Sequence, residues 1–195
     1  MEIMKEKIVF NKKIVIEEGE LINETGKKIS RLRIRREDVA VVLLLNTDTH
    51  KVVLTRQFRY PVAFFSPEQI IEAIAGKVNE GEEPLDAAIR ETEEETGYRI
   101  NPKNIKLIVS CFASPGYTTE RFFIYHATVD NADKATQGGG IEEENIEVVE
   151  MDVDKFKALL RDGTIHDAKT YIAGLYLLVD TEIAGELTHF DKEKL

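Results

Sequence analysis

Two rhythms of apolar and polar residues divide the chain. Alternation with period two runs through 7–18 (KIVFNKKIVIEE) and 29–37 (ISRLRIRRE), predicting two strands joined at the turn signal Asn23-Glu24-Thr25-Gly26. Residues 39–46 (VAVVLLLN) are almost wholly apolar, the pattern of a strand covered on both faces, and 51–57 (KVVLTRQ) reads as its return strand. A loop over 62–70 leads into a short strand at 70–75 (IIEAIA). The period then lengthens. Leu85, Ile89, Thr92 and Thr96 recur at helical spacing and predict one inward face, with Pro84 in the first turn and Gly97 as a left-handed cap. Strands follow at 105–113, 121–129 and 146–151, and helices at 153–161 and 169–180. The last helix carries Ile172, Leu175, Tyr176 and Val179 as a core stripe. This order predicts an α+β fold, a mixed sheet sandwiched between helices behind an N-terminal β region.

At 195 residues with 43% hydrophobic content, the chain reads as a domain of ordinary size with a sizeable core. The net charge of −10 argues against a nucleic-acid partner. A small anionic substrate stays compatible with it, given a metal and local arginines. The single cysteine, Cys111, sits in an apolar run; it reads as an inert thiol and excludes a disulfide framework or a cysteine-built zinc site. The four histidines show no metal-ligand spacing and read as structural. The opening MEIMKEKIVF lacks a signal-peptide apolar core, and no apolar run approaches the ~20 residues a membrane helix needs. We therefore expect a cytoplasmic protein with no membrane partner.

The predicted helix starting at Pro84 carries the chemistry. Glu91, Glu94 and Glu95 fall on one side at i, i+3, i+4, where like charges repel. Such a group is either a solvated acidic face or a site for a cation, and hard oxygen ligands favour Mg²⁺ or Mn²⁺. The flanks discriminate. Gly76, five residues, Glu82, seven residues, Arg90-Glu91, two residues, Glu94-Glu95, one residue, Gly97: this spacing resembles the Nudix box, a loop–helix–loop that binds divalent metal and hydrolyses nucleoside diphosphates linked to another group. Thr92 departs from the usual aliphatic residue and Ile74 from a proline in the lead-in strand. The resemblance extends over most of the chain and implies a Nudix-type α/β/α sandwich. It implies metal ligation by Glu91, Glu95 and the carbonyl of Ala75, with Glu94 as further ligand or base and Arg90 orienting the glutamates.

Other segments resemble the sugar-nucleotide branch of the same family. Arg56-Gln57-Phe58-Arg59 is similar to a segment whose arginines reach the bound nucleotide, and Glu72 with Ala75-Gly76 to the lead-in of the box; an edge arginine in solvent is the plain alternative. The loop Ser114-Pro115-Gly116-Tyr117-Thr118-Thr119-Glu120 resembles one beside the substrate, although Pro-Gly also makes ordinary hairpins. The expected substrate residues are thus Arg59, Arg56, Glu72, Gly116 and Glu120. Gly138-Gly139-Gly140 reads as a mobile hinge, and with Glu142, Glu143 and Glu144 resembles the glycine-rich acidic loop of GDP-mannose hydrolases. Its alignment to Ile146-Glu147-Val148 makes Glu144 the expected base, with Glu142, Glu143 or Glu94 as alternatives. Asp167-Ala168-Lys169-Thr170 resembles the same group of enzymes. The resemblance implies Mg²⁺-dependent hydrolysis of a nucleoside-diphosphate sugar, GDP-mannose first and ADP-ribose as the alternative. A non-catalytic nucleotide-sensing module is the reading from another class. It also implies a homodimer, with residues 1–38 packing on a partner subunit and 39–195 forming the hydrolase domain.

Overall fold

The computed structural model describes residues 1–140 and 145–179. The first three strands, β1 (Glu2–Asn11), β2 (Val15–Ile22) and β3 (Lys28–Arg35), form a separate antiparallel sheet in that order. The predicted strand over 7–18 is therefore two strands. A turn closed by the Lys12 N–H on the Ile14 carbonyl separates them, and period-two alternation carries on across so short a turn without a break.

The body holds β4 (Val39–Asn46), β5 (Lys51–Gln57), β6 (Ile70–Glu72), β7 (Ile74–Lys77), α1 (Pro84–Thr96), β8 (Ile105–Phe112), β9 (Arg121–Val129), β10 (Glu147–Asp152), α2 (Val153–Arg161) and α3 (Ala168–Leu178). Its sheet runs β10-β5-β4-β9-β8, with β6 paired to β5 and β7 to β4. The β4–β9 pair is parallel and the others antiparallel, so the sheet is mixed. The period-two geometry of a strand sends β4 side chains to both faces. Ala40, Val42 and Leu44 pack with Ala87 and Ala88 of α1. Val41 and Leu43 pack with Phe156 and Leu160 of α2 and Ala173 of α3. An apolar core on each side is why β4 reads as an unbroken hydrophobic run, and it makes the α/β/α sandwich.

Three expectations shift in phase or extent. The 70–75 strand is broken at Ala73, whose N–H leaves the ladder and donates to Thr170 Oγ1 at 2.6 Å. The inward face of α1 is Ala87, Ala88, Thr92, Glu95 and Thr96, while Leu85 is 37% exposed. On α3, Ala173 and Gly174 are buried where Leu175 is exposed. In both helices small residues decide the contact. A Cβ on Gly174 would lie 2.5 Å from Leu160 Cδ1, so the bare glycine lets the Leu160 side chain of α2 pack directly against α3. Small residues add little to a hydrophobicity pattern, which fixes the repeat but not which side of it meets the sheet.

Candidate active site

The site lies where α1 crosses the ends of β4 and β7. Pro84 starts the helix, and Gly97 ends it with φ +78° and its N–H on the Glu93 carbonyl. Thr92 is fully buried, its hydroxyl donating to the Ala88 carbonyl at 2.7 Å, so the departure from an aliphatic residue leaves no unsatisfied group in the core. This crossing brings Glu91, Glu94 and Glu95 together with Ala75 and Gly76 on one cavity of about 610 Å³. That size falls in the range of about 300–1,000 Å³ usual for small-molecule sites.

Gly76 is required by contact rather than by conformation. A Cβ there would fall 1.7 Å from Glu91 Cδ, so the bare backbone of β7 is what lets the Glu91 carboxylate lie against it. Arg90 organises the acids. Its Nε and one terminal nitrogen take Glu82 in a fork at 2.8 and 3.0 Å. Its other terminal nitrogen donates to Glu91 at 2.6 Å and Glu94 at 3.1 Å, and a further bond reaches the Lys77 carbonyl at 3.0 Å. The hydrogen bonds from Arg90, and one from the Asn79 backbone, hold the Glu82 carboxyl down at about 2. The same pairing raises the Arg90 guanidinium further above its ordinary value.

A second cluster lies beneath the cavity. Glu72, 2% exposed, accepts Arg59 through both oxygens, with bonds of 2.6–3.1 Å, and the Gln57 amide at 3.2 Å. Lys169, 9% exposed, pairs with Glu72 at 3.1 Å and Asp167 at 2.9 Å. Asp167 caps α3 by accepting the Thr170 N–H. Burial works against the Arg59 charge, but the bonds to Glu72 and the charges of Glu72, Glu95 and Asp167 outweigh it and raise the guanidinium pKa. Arg59 and Lys169 both line the cavity, with Glu72 behind them.

Not every expected residue comes to this cavity. Glu120 lines it, paired at 3.5 Å with Arg36. Arg56 instead pairs with Glu147 across the β5–β10 edge, away from the cavity lining. The loop holding Gly116 forms the seam to the N-terminal sheet, Ile34 N–H donating to Tyr117 O at 2.6 Å and Thr119 N–H to Ile34 O at 3.1 Å. Gly116 itself has no atoms within 4 Å of where a Cβ would stand. Glu142, Glu143 and Glu144 lie outside the described residues. Sequence reasoning did not single out Arg36 or Lys169 as site residues. Lys169 stands in a segment that the resemblance had already marked; Arg36 is one of several basic residues near the end of β3 and carried no signal of its own.

A hard divalent cation suits this donor set: carboxylates from consecutive helical turns, a carbonyl edge at Ala75, and the space that Gly76 leaves. Among the described residues no three acidic, imidazole or thiol groups already converge at ligand distance, because Glu91 and Glu94 reach toward Arg90. A second cavity of about 750 Å³ lies between 61–71 and 164–166. Val62, Phe65, Ile70, Ile71 and Ile165 make it largely apolar, and it lacks the opposed charges that diphosphate chemistry needs.

The NUDIX domain family matches residues 34–173. The chain belongs to the Nudix family. Nudix hydrolases generally use a divalent metal. The chain is 36% identical over 180 residues to a GDP-mannose pyrophosphatase of Cronobacter sakazakii, covering 88% of this chain and 92% of that protein. It is 30% identical over 174 residues to a methanol dehydrogenase activator of Bacillus methanolicus, covering 89% and 90%. A crystal structure of an ADP compounds hydrolase shares the fold, with a TM-score of 0.73 over 90% of each chain at 19% identity.

Two outcomes follow from this geometry. In Gly76→Ala the atoms nearest the new methyl all belong to the Glu91 side chain, which can swing aside, so the melting temperature should stay near wild type. Displacing that carboxylate by an ångström or more should lower turnover by roughly 10²-fold; unchanged turnover would remove Glu91 from the metal set. The Glu82 carboxyl, at about 2 folded against an ordinary value of 4.5, contributes stability that is complete above the ordinary value and is lost as pH falls toward the folded one. The difference in melting temperature between wild type and Glu82→Gln should be flat above about pH 5 and close as pH drops toward about 2. A gap that persists unchanged through that window contradicts the clamp.

Proposed function

We propose that the protein is a Mg²⁺-dependent hydrolase of the diphosphate linkage in nucleoside-diphosphate sugars, with GDP-mannose giving GMP and mannose 1-phosphate. The observation that carries this reading is one cavity lined by the box carboxylates and, in the same wall system, by Arg59 and Lys169. A diphosphate brings negative charge that needs both. The metal, when bound, neutralises phosphate oxygens and lowers the pKa of a bound water. Glu91, Glu95 and the Ala75 carbonyl would hold it, with Glu94 as further ligand or base. Arg90 keeps these acids on one face and hands over Glu91 and Glu94 when a cation competes for them. Arg59, locked by Glu72, donates to the diphosphate from a fixed position, so little reorganisation is needed as charge develops. Glu120 is proposed to accept from substrate hydroxyls at the cavity rim, beside Arg36. Glu144 is proposed to take the proton from the attacking water.

GDP-mannose is favoured because of the named relative with which the chain shares 36% identity over 180 residues. ADP-ribose, giving AMP and ribose 5-phosphate, is the second reading; the Arg56-Gln57-Phe58-Arg59 and Glu72 segments resemble enzymes of that substrate too. The test is a screen of nucleoside-diphosphate sugars, ADP-ribose and dinucleotides with Mg²⁺, reading phosphate released after phosphatase. Turnover of GDP-mannose above the rest, cut by orders of magnitude in Glu95→Gln, is the expected result. Preference for ADP-ribose selects the second reading, and no turnover of any of them leaves a nucleotide-sensing module.

We further propose a homodimer built on the N-terminal sheet. All ten residues of β1 are exposed, among them Ile3, Met4, Ile8, Val9 and Phe10. So much apolar surface on a three-stranded sheet calls for a cover. Sedimentation at micromolar concentration should give twice the 22.1 kDa chain mass; a monomer there refutes it.

A further inference from the structure

The run Gly138-Gly139-Gly140, which the sequence marks as a hinge, is docked on the end of α1. Gly139 N–H donates to the Glu95 carbonyl at 2.7 Å and Gly140 N–H to the Glu94 carbonyl at 3.1 Å. Just before them, Ala135 and Thr136 donate to the Gly97 carbonyl at 2.8 and 3.3 Å. Lys134 pairs with Tyr98 through an antiparallel bridge, and its ammonium lies 4.3 Å over the Tyr98 ring. The last carbonyls of a helix have no partner within it; residues 134–140 supply partners here, as a strap across the helix end.

Glycine is what makes the contact possible. The three glycines have φ of 70°, 112° and 69°. A Cβ on Gly138 would sit 2.5 Å from the Glu95 carbonyl oxygen and from the Thr96 carbonyl carbon, and one on Gly97 would sit 2.1 Å from the Thr136 oxygen. These obstacles are backbone, so none can swing aside. The strap grips the main chain of Glu94 and Glu95, whose side chains face the cavity.

We infer that the strap 134–140 is a positioning element for the metal-binding carboxylates, so that its docking and divalent-cation binding stabilise each other. This rests on the metal reading above. Bringing Glu91, Glu94 and Glu95 onto one cation requires a last helical turn that does not unwind under their mutual repulsion, and the strap holds that turn by its carbonyls. A cation removes the repulsion and thereby steadies the turn on which the strap is bonded. Such coupling is reciprocal.

Two measurements test it. In wild type, Mg²⁺ should increase the hydrogen-exchange protection of the Gly139 and Gly140 amides; protection unmoved by saturating Mg²⁺ overturns the coupling. Gly138→Ala should weaken Mn²⁺ binding, followed as free Mn²⁺ by paramagnetic resonance, by roughly tenfold. Gly163→Ala is the control. Gly163 also has positive φ, but nothing lies within 4 Å of its Cβ position, so it carries the backbone strain without touching α1 and should bind Mn²⁺ as wild type does. Equal Mn²⁺ affinity in Gly138→Ala and wild type overturns the coupling while leaving the metal site standing. Absence of Mn²⁺ binding by wild type overturns the metal reading and the coupling with it. Should Gly138→Ala not fold, the exchange measurement decides.

Discussion

Gathering carboxylates on successive turns of one helix is unfavourable in itself, and Arg90 is what makes it tolerable. A guanidinium offers five donors in a plane. Here they reach Glu82 before the helix, Glu91 and Glu94 on it, and the Lys77 carbonyl of β7. One side chain therefore fixes the lead-in loop, the helix and the adjacent strand relative to each other. Lysine, with a single ammonium, could balance the charge but not hold three elements in register. One cation is thereby shared among three acids and a strand carbonyl.

The Glu72 cluster is the same device with its signs reversed. A buried anion collects Arg59, Gln57 and Lys169 from β5, the segment after it, and α3. Leaving Glu72 in place while deleting one of its cations would strand a buried charge, which is far costlier than losing an exposed pair. The cavity thus lies between acids held by a cation and cations held by an acid. A ligand that is itself a metal-bound anion would meet both, with Arg59 already fixed in place by Glu72, as electrostatic preorganisation requires.

The scaffold supplies the rigidity this needs. β4 is sealed by a core on each face. At its end the buried Asn46 donates to Tyr98 and Asn131 and accepts the backbone N–H groups of Asp48 and Thr49. Tyr98 follows the helix cap, so the end of α1 is tied to the far end of the central strand. Tyr98 in turn donates to Glu150 of β10. The strap over Gly97 lies on this same corner.

Local chemistry was legible in the chain. β4, β5, β8, β9, α1 and α2 stand where hydrophobic period, Pro84 and Gly97 put them, because those signals act within a few residues. The spacing of Gly76, Glu82, Arg90, Glu91, Glu94 and Glu95 identified the family and the acidic face for the same reason. What the sequence could not show was which distant segments meet. Thr170 breaks β6 from β7 across 97 residues of chain. Arg56 and Arg59 look alike in sequence, but a partner on β10 turns one to the sheet edge and Glu72 turns the other to the cavity. Glycines 138–140 read as freedom, since a glycine in isolation is permissive. In the folded chain they are where backbone meets backbone, and the close approach, not flexibility, is what glycine serves there.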